Sequence, residues 1–269
     1  MSGIASGSSS PLPWQVLLRA YALGIFPMAD DRADETIYWV EPRRRAILPL
    51  DGLHLSRRLA RTIKGNKFRV SSDTAFEQVI TLCAAAAPGR ETTWINGVIE
   101  RACTDLFNRG HAHSIECWID DQLVGGLYGI ALGNAFFGES MFSRATDASK
   151  VALAHLIARL KVGGFTLLDC QFMTDHLQSL GAVEIDRAEY LARLYPAVSS
   201  AASALSSPLG SGVAGATGAG VGVAASDLRG AGGRWLALDA LLSTSPGTPS
   251  SDWSSSPGHV IVQLLTNTS

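Results

Sequence analysis

The sequence has no CxxC pair, no basic leader followed by an apolar core, and no run suited to a membrane helix. Each absence removes a class of protein. The four cysteines, Cys83, Cys103, Cys117 and Cys170, are too scattered for a disulfide framework and fit reduced thiols. The start, MSGIASGSSSPLPW, lacks the build of a secretory signal. The nearest candidate for a membrane span, LGSGVAGATGAGVGVAAS at 209–226, is mostly Gly, Ala and Ser, with too little Leu, Ile or Phe to favour hydrocarbon. The expectation is a cytoplasmic chain with no membrane partner. Charge is also scarce: 17% of residues, with a net value of -2, which points neither toward nor away from nucleic acid. What is present is 46% apolar residues in a chain of 269, enough to bury one large core or two small ones.

Composition changes near Pro196. Beyond it, AVSSAASALSSPLGSGVAGATGAGVGVAASDLRGAGG is low-complexity Ala, Gly and Ser, which cannot bury enough area to offset its ordering entropy. Residues 197–233 are therefore expected to be a disordered linker. RWLALDALL and HVIVQLL are short apolar pieces expected to dock weakly, in a tail without chemistry. The reading divides the chain into an N-terminal domain (1–56), a catalytic domain (57–196) and a disordered tail (197–269). The ordered part is α+β. Helices are expected from Pro13 to Leu23 and over HLSRRLARTIKGN, TAFEQVITLCAAAA, GVIERACTDLFNRG and ASKVALAHLIARLKVGG. In the last, Leu153, Leu156, Ile157 and Leu160 fall on one face. SIECWI, LVGGLYGIAL and AFFGESMF read as a β-meander turning at Asp120-Asp121 and Gly133-Asn134. FTLLDCQ reads as a strand, HLQSLGA as a short helix, and VEIDRAEYLARL as a final strand and helix. This order matches the layout of acyltransferases of the GNAT type, although fold alone does not give function.

Four features carry chemistry. First, FTLLDCQ brings Asp169 and Gln171 to the end of an apolar strand, where they are either a cap or a delivery to a reacting group. Two residues apart on an extended chain, they share a side. Second, nine basic residues and one acid, Asp51, lie between Arg43 and Arg69, an excess that favours a polyanion. Arg57, Arg58, Arg61, Lys64 and Lys67 are the candidates for phosphate contacts. Third, RATDAS opens the long helix where a CoA-dependent enzyme of this layout needs glycines for pyrophosphate; Asp147 stands there instead and reads as an N-cap. Fourth, His111 and His113 share a strand face with Cys117, and no matching pair of further zinc ligands accompanies them. Tyr21, Phe26, Tyr38, Trp39 and Trp94 are expected in loops of the N-terminal third, where some can stack on a base.

The stretches YALGIFPM, YWVEPRRRAILPL, LHLSRRL, TWINGVI, GHAHSIECW, LVGGLYGIALGNAFFGESMFSRATDASKVAL, LLDCQF and DHLQSLGA, in this order over about 11–195, resemble the leucyl/phenylalanyl-tRNA–protein transferase family. The resemblance implies an enzyme that moves Leu or Phe from aminoacyl-tRNA to the N-terminal α-amine of proteins beginning with Arg or Lys, marking them for N-end-rule degradation. It implies an N-terminal domain plus a GNAT-like domain and no cofactor. It makes Asp169 and Gln171 the catalytic pair and Glu139 the acid that holds the aminoacyl-adenosine end. Tyr21 and Trp94 match aromatics around the adenosine, and Leu127, Phe136, Met141, Leu153 and Leu168 match the wall of the side-chain pocket. Two positions depart from many relatives: Met28 and Cys103 stand where those relatives carry aromatics. The competing readings are a CoA-dependent N-acetyltransferase and a non-catalytic tRNA-binding module. The chain is expected to be a monomer.

Overall fold

The alternating pattern of the meander gives three long antiparallel strands, which form the middle of the fold. In this computed structural model residues 12–86, 92–205, 234–243 and 256–267 are described. A seven-stranded sheet has the order β4-β5-β6-β7-β8-β3-β9. Its strands are β3 (Arg44–Ile47), β4 (Arg69–Ser72), β5 (Ala112–Ile119), β6 (Gln122–Leu132), β7 (Ala135–Ser143), β8 (Leu167–Gln171) and β9 (Val183–Asp186). The turn between β5 and β6 uses Asp120 and Asp121 at φ 46° and 60°, both in the left-handed region that a tight hairpin needs. Only β7 and β8 are parallel, joined through the 15-residue helix α5 (Ala148–Val162); a parallel pair requires such a crossover.

Helices cover both faces. One core cluster joins α1 (Trp14–Ala22), α3 (Phe76–Cys83), α4 (Gly97–Asn108) and α7 (Arg187–Leu205) to inward residues such as Tyr128 and Phe137. The other joins α2 (Arg57–Lys64), α5, α8 (Ala237–Ser243) and α9 (Pro257–Thr266) to Ile115, Leu127, Phe136 and Leu168. The short helix α6 (Asp175–Ser179) follows β8. The chain is thus a mixed α+β fold with a small N-terminal unit, α1 and the two-stranded ribbon of β1 (Phe26–Met28) and β2 (Tyr38–Val40).

Several expectations change. The linker does not begin at 197: α7 runs on to Leu205, with Ala197 and Val198 buried against the core. Residues 206–233 lie outside the described residues. The apolar pieces of the tail are not weakly attached, because Trp235 is 1% exposed and Ile261 fully buried. Their docking explains why α5 is buried almost all round instead of along one stripe: α8 and α9 cover its outer side. β3, within the 1–56 segment, pairs with β8 and β9 in the main sheet. The N-terminal aromatics are not all in loops. Tyr21 is buried on α1 and Phe26 on β1, while Tyr38 and Trp39 sit exposed on β2. Trp94 is in a loop and half-buried. Asp147 precedes α5 at φ 71° but makes no capping hydrogen bond; it faces Arg58 at 3.4 Å and Lys150 at 3.7 Å.

Candidate active site

The two parallel strands pair from Ala135↔Leu167 to Phe137↔Asp169 and then part. The parting opens a pocket of about 160 Å³ between them. Leu127, Met141, Leu153, Leu156 and Leu168 make its apolar wall, and His176 and Leu177 of α6 border it. Among the polar residues that line it from the separating strands are Glu139 and Gln171.

Each is placed by an irregularity of the backbone. Tyr128 pairs with Ser140 and Gly129 with Gly138, so Glu139 is the extra residue of a β-bulge, the device that re-aims a side chain within a sheet. Gln171 has φ 57°, a left-handed conformation that costs a non-glycine residue energy. It ends β8 and is 8% exposed, yet its Nε2 has no hydrogen-bond partner. A buried amide left unpaired is costly in a resting protein.

Behind Gln171 lies Asp169, fully buried. Arg45 of the neighbouring β3 donates to it twice, from Nε to Oδ1 at 2.8 Å and from Nη2 to Oδ2 at 2.6 Å. The Tyr190 hydroxyl donates to Oδ2 at 3.1 Å, and the Gln171 backbone N–H to Oδ1 at 2.9 Å. Arg45 is itself 1% exposed; its guanidinium lies between the rings of Phe26 and Tyr190 and donates to the Gly24 carbonyl at 3.1 Å. Burial works against the Arg45 charge, but the adjacent carboxylate of Asp169 more than offsets this and holds its pKa above the ordinary value. Burial and the Asp169 charge push the Tyr190 phenol up, so it stays a donor.

Glu139 has a different environment. The Tyr21 hydroxyl donates to its Oε1 at 2.9 Å. Burial, reinforced by Asp169 and opposed by the Tyr21 hydrogen bond and by Arg45, raises its carboxyl to about 8. The pocket thus carries a carboxyl group that titrates near neutrality and an unpaired amide, backed by a locked ion pair.

The sequence profile described as leucyl/phenylalanyl-tRNA protein transferase matches residues 47–195, and the profile of that family's N-terminal domain matches residues 12–43. The chain belongs to this transferase family. The leucyl/phenylalanyl-tRNA–protein transferase of Rhizorhabdus wittichii is 63% identical over 179 residues, covering 66% of this chain and 72% of that one. The Zymomonas mobilis protein of the same name is 62% identical over 185 residues, 69% of each chain. The Novosphingobium aromaticivorans transferase is 52% identical over 267 residues, 96% of this chain and 97% of its own. The family profile stops at 195, whereas the last relative is similar through the tail as well.

Of the residues suggested by the transferase resemblance, Glu139, Gln171, Leu127, Met141, Leu153 and Leu168 meet at the one pocket. Tyr21 stands behind Glu139 as its hydrogen-bond donor. Phe136 does not line this pocket: it stacks on Trp235, ring centroids 5.5 Å apart. Trp94 packs against the core on the α1 and α4 side and does not line it either. Cys103, one of the two departures, is buried within the core, where burial and the nearby Glu139 push its thiol up. Gln171 reaches the site through a turn in the backbone, not through strand alternation alone. Sequence reasoning missed Arg45 and Tyr190, the partners of Asp169. Arg45 was hidden inside a basic run that reads as surface, but its place on a strand, before Ala46 and Ile47, was a usable signal. Arg57, Arg58, Arg61, Lys64 and Lys67 are all exposed, on α2 or just beyond it. His113 bonds Asp73 at 2.8 Å, and His111 stacks on Trp14.

Proposed function

We propose that this transferase moves Leu or Phe from aminoacyl-tRNA to the α-amine of proteins beginning with Arg or Lys, marking them for N-end-rule degradation. It works as a monomer, on a GNAT-like scaffold whose parallel pair, β7 and β8, opens to hold the donor's amino-acid side chain. The observation that carries the reading is the unpaired, buried Nε2 of Gln171 on the wall of a 160 Å³ apolar pocket. Cavities of about 150 Å³ lined by aliphatic side chains accept a benzene ring, so the pocket suits a leucyl or phenylalanyl side chain. Its flexible Met141 helps it take both shapes.

The ester of the donor is already activated. The acceptor nitrogen attacks its carbonyl carbon, a C–N bond forms, the C–O bond to the ribose breaks, and the proton lost by the amine ends on the ribose oxygen. No further reagent is needed for that balance. Alignment supplies much of the rate. The Gln171 amide donates to the carbonyl oxygen as it gains charge. Glu139 holds the aminoacyl end and, in its ionised fraction, takes the amine's proton; its pKa of about 8 lies close to that of an α-amine, roughly 7.7–8.0. Asp169, with both oxygens engaged, acts through Gln171 as a positioning residue and electrostatic support. Its full hydrogen-bonding favours this over direct proton acceptance.

Transfer of labelled Leu from charged tRNA to a peptide starting with Arg, beside one starting with Ala, tests the reading. Transfer to the Arg peptide alone is expected. Equal transfer to both removes the acceptor assignment, and no transfer to either removes the activity.

A further inference from the structure

Much of the exposed basic run sits on one short helix, α2. It has eight residues, too few for a helix to hold itself in water, and it presents Arg57, Arg58, Arg61 and Lys64 outward. Among the described residues no carboxylate pairs with Arg57, Arg61 or Lys64; Arg58 alone faces one, Asp147 at 3.4 Å. Leu59 and Ile63 anchor its inner face, each 3% exposed.

The tail reaches this helix from two directions. At its far end, α9 comes so close that a Cβ on Gly258 would lie 2.1 Å from the Ile63 carbonyl oxygen and 2.8 Å from Asn66 Oδ1. The Gly258 N–H donates to that Asn66 oxygen at 3.2 Å. Ile261 and Val262 share the core cluster of Leu59 and Ile63. At its near end, Lys161 of α5 pairs with Asp51 at 2.7 Å and donates to the Asn267 carbonyl at 3.1 Å, so one ammonium ties the end of the tail to the segment leading into α2.

α8 anchors the tail to the body. The Trp235 indole stacks on His113 with centroids 4.1 Å apart and donates to Ser72 Oγ at 3.0 Å. Arg159, 4% exposed, makes two 2.6 Å bonds to Asp239 and a third, of 2.5 Å, to the Trp235 carbonyl. A cavity of about 470 Å³ remains between the tail helices and the α2–β4 segment. The brace therefore rests on a few close contacts, Gly258 among them, and not on continuous packing.

We propose that the two C-terminal helices are a clamp that fixes the basic helix α2 in register for the phosphates of the tRNA body. The clamp has no direct part in the transfer step: besides α2, β4 and the C-terminal half of α5 it touches His113 of β5 and Phe136 of β7, and none of its described residues lines the pocket. This rests on reading α2 as a phosphate-binding surface. The substrate's 3′ end is held in the pocket; the clamp acts on the body of the same molecule.

The test uses full-length protein and two donors, charged tRNA and a minimal phenylalanyl-adenosine that lacks the body. Gly258→Leu drives α9 off α2. It is expected to weaken tRNA binding about tenfold and to make the log affinity–log salt slope shallower by about one to two. Transfer from phenylalanyl-adenosine stays within about twofold of the parent. Ile261→Ala, a packing loss without a forced clash, moves tRNA binding the same way by less. Parallel loss with both donors overturns the clamp, because the tail would then support the whole domain. Unchanged tRNA binding in both variants overturns it as well. The double variant Arg57→Ala/Arg61→Ala separates the layers. If it weakens tRNA binding while the two tail variants do not, α2 is right and the clamp wrong; if it leaves binding unchanged, both fall.

Discussion

Arg45 and Arg61 come from the same basic run, sixteen positions apart, and have opposite fates. Arg45 is buried, paired twice with Asp169 and caged by two aromatic rings. Arg61 is exposed on α2, with no carboxylate partner among the described residues. The first charge is spent inside the protein, holding its geometry; the second faces outward from α2. A count of charges along a chain cannot separate these uses, whereas the secondary structure beneath each residue can. Arg45 lies on a strand of the main sheet and must face some neighbour, while Arg61 lies on the outer side of a short amphipathic helix.

The comparison predicts its own largest effect. Arg45→Met leaves Asp169 a buried, uncompensated carboxylate, and breaking a buried ion pair from one side costs about 3–5 kcal/mol. Thermal unfolding is expected to show that loss, and turnover to fall with it. Retention of parental stability would mean that the pair contributes little. Close behind comes Gln171→Gly. Glycine accepts φ 57° without strain, so this change removes the amide while keeping the turn available. Turnover should drop about 10²–10³-fold with tRNA affinity kept, as measured by single-turnover transfer and filter binding. A loss of only a few-fold would make Gln171 a structural residue.

Glu139 sharpens the contrast within the site, because it is the carboxyl group that the fold does not hold ionised. Its folded pKa, about 8, lies above its ordinary value of 4.5. Between those values the folded state keeps a proton that the unfolded state has released, so stability falls as pH rises through that window and levels off above it. Glu139→Gln should remove this slope and be more stable than the parent at pH 9, by on the order of a few kcal/mol. Parallel stability curves for the two proteins would contradict the burial argument.

Much of the fold was legible because its signals are local. The meander, its Asp120-Asp121 turn, the long helix α5 and the closing β9–α7 unit all follow from periodicity and turn residues. The pocket was legible in part: Gln171 stood out as an amide at a strand end, while Glu139 was named only through the family resemblance, and both line the same pocket. The layer behind it was not. Arg45 and Tyr190 meet Asp169 across 124 and 21 residues of chain, and nothing local announces such a meeting. The tail failed for a related reason. Low complexity marks residues with little side-chain area to bury, but the judgement spread from those residues to Trp235 and Ile261, whose burial depends on partners far back in the chain. Phe136 was placed on the correct strand; Trp235, which stacks on it, came from a piece expected to dock only weakly.

A smaller effect tests the pocket wall. Leu153→Phe fills part of the 160 Å³ and should reduce Phe transfer more than Leu transfer. One misfit group in an apolar pocket is worth about 10–200-fold in selectivity. Competition between the two charged tRNAs on one enzyme sample measures the ratio directly, independent of any loss of folded protein. An unchanged ratio would place the donor side chain elsewhere.

The smallest effect belongs to Arg61 and completes the contrast with Arg45. Arg61→Ala should leave unfolding within about 0.5 kcal/mol of the parent, as expected for an exposed side chain outside any packed feature. It should weaken tRNA binding only a few-fold at moderate salt and make the log affinity–log salt slope shallower by about one, the signature of one lost phosphate contact. The slope discriminates better than the affinity. A lost phosphate contact shrinks in importance as salt rises, so the two proteins converge, and equal unfolding separates this from a displacement of the whole helix. Convergence at high salt with equal stability would make Arg61 a ligand-facing charge, and equal slopes would return it to the solvent.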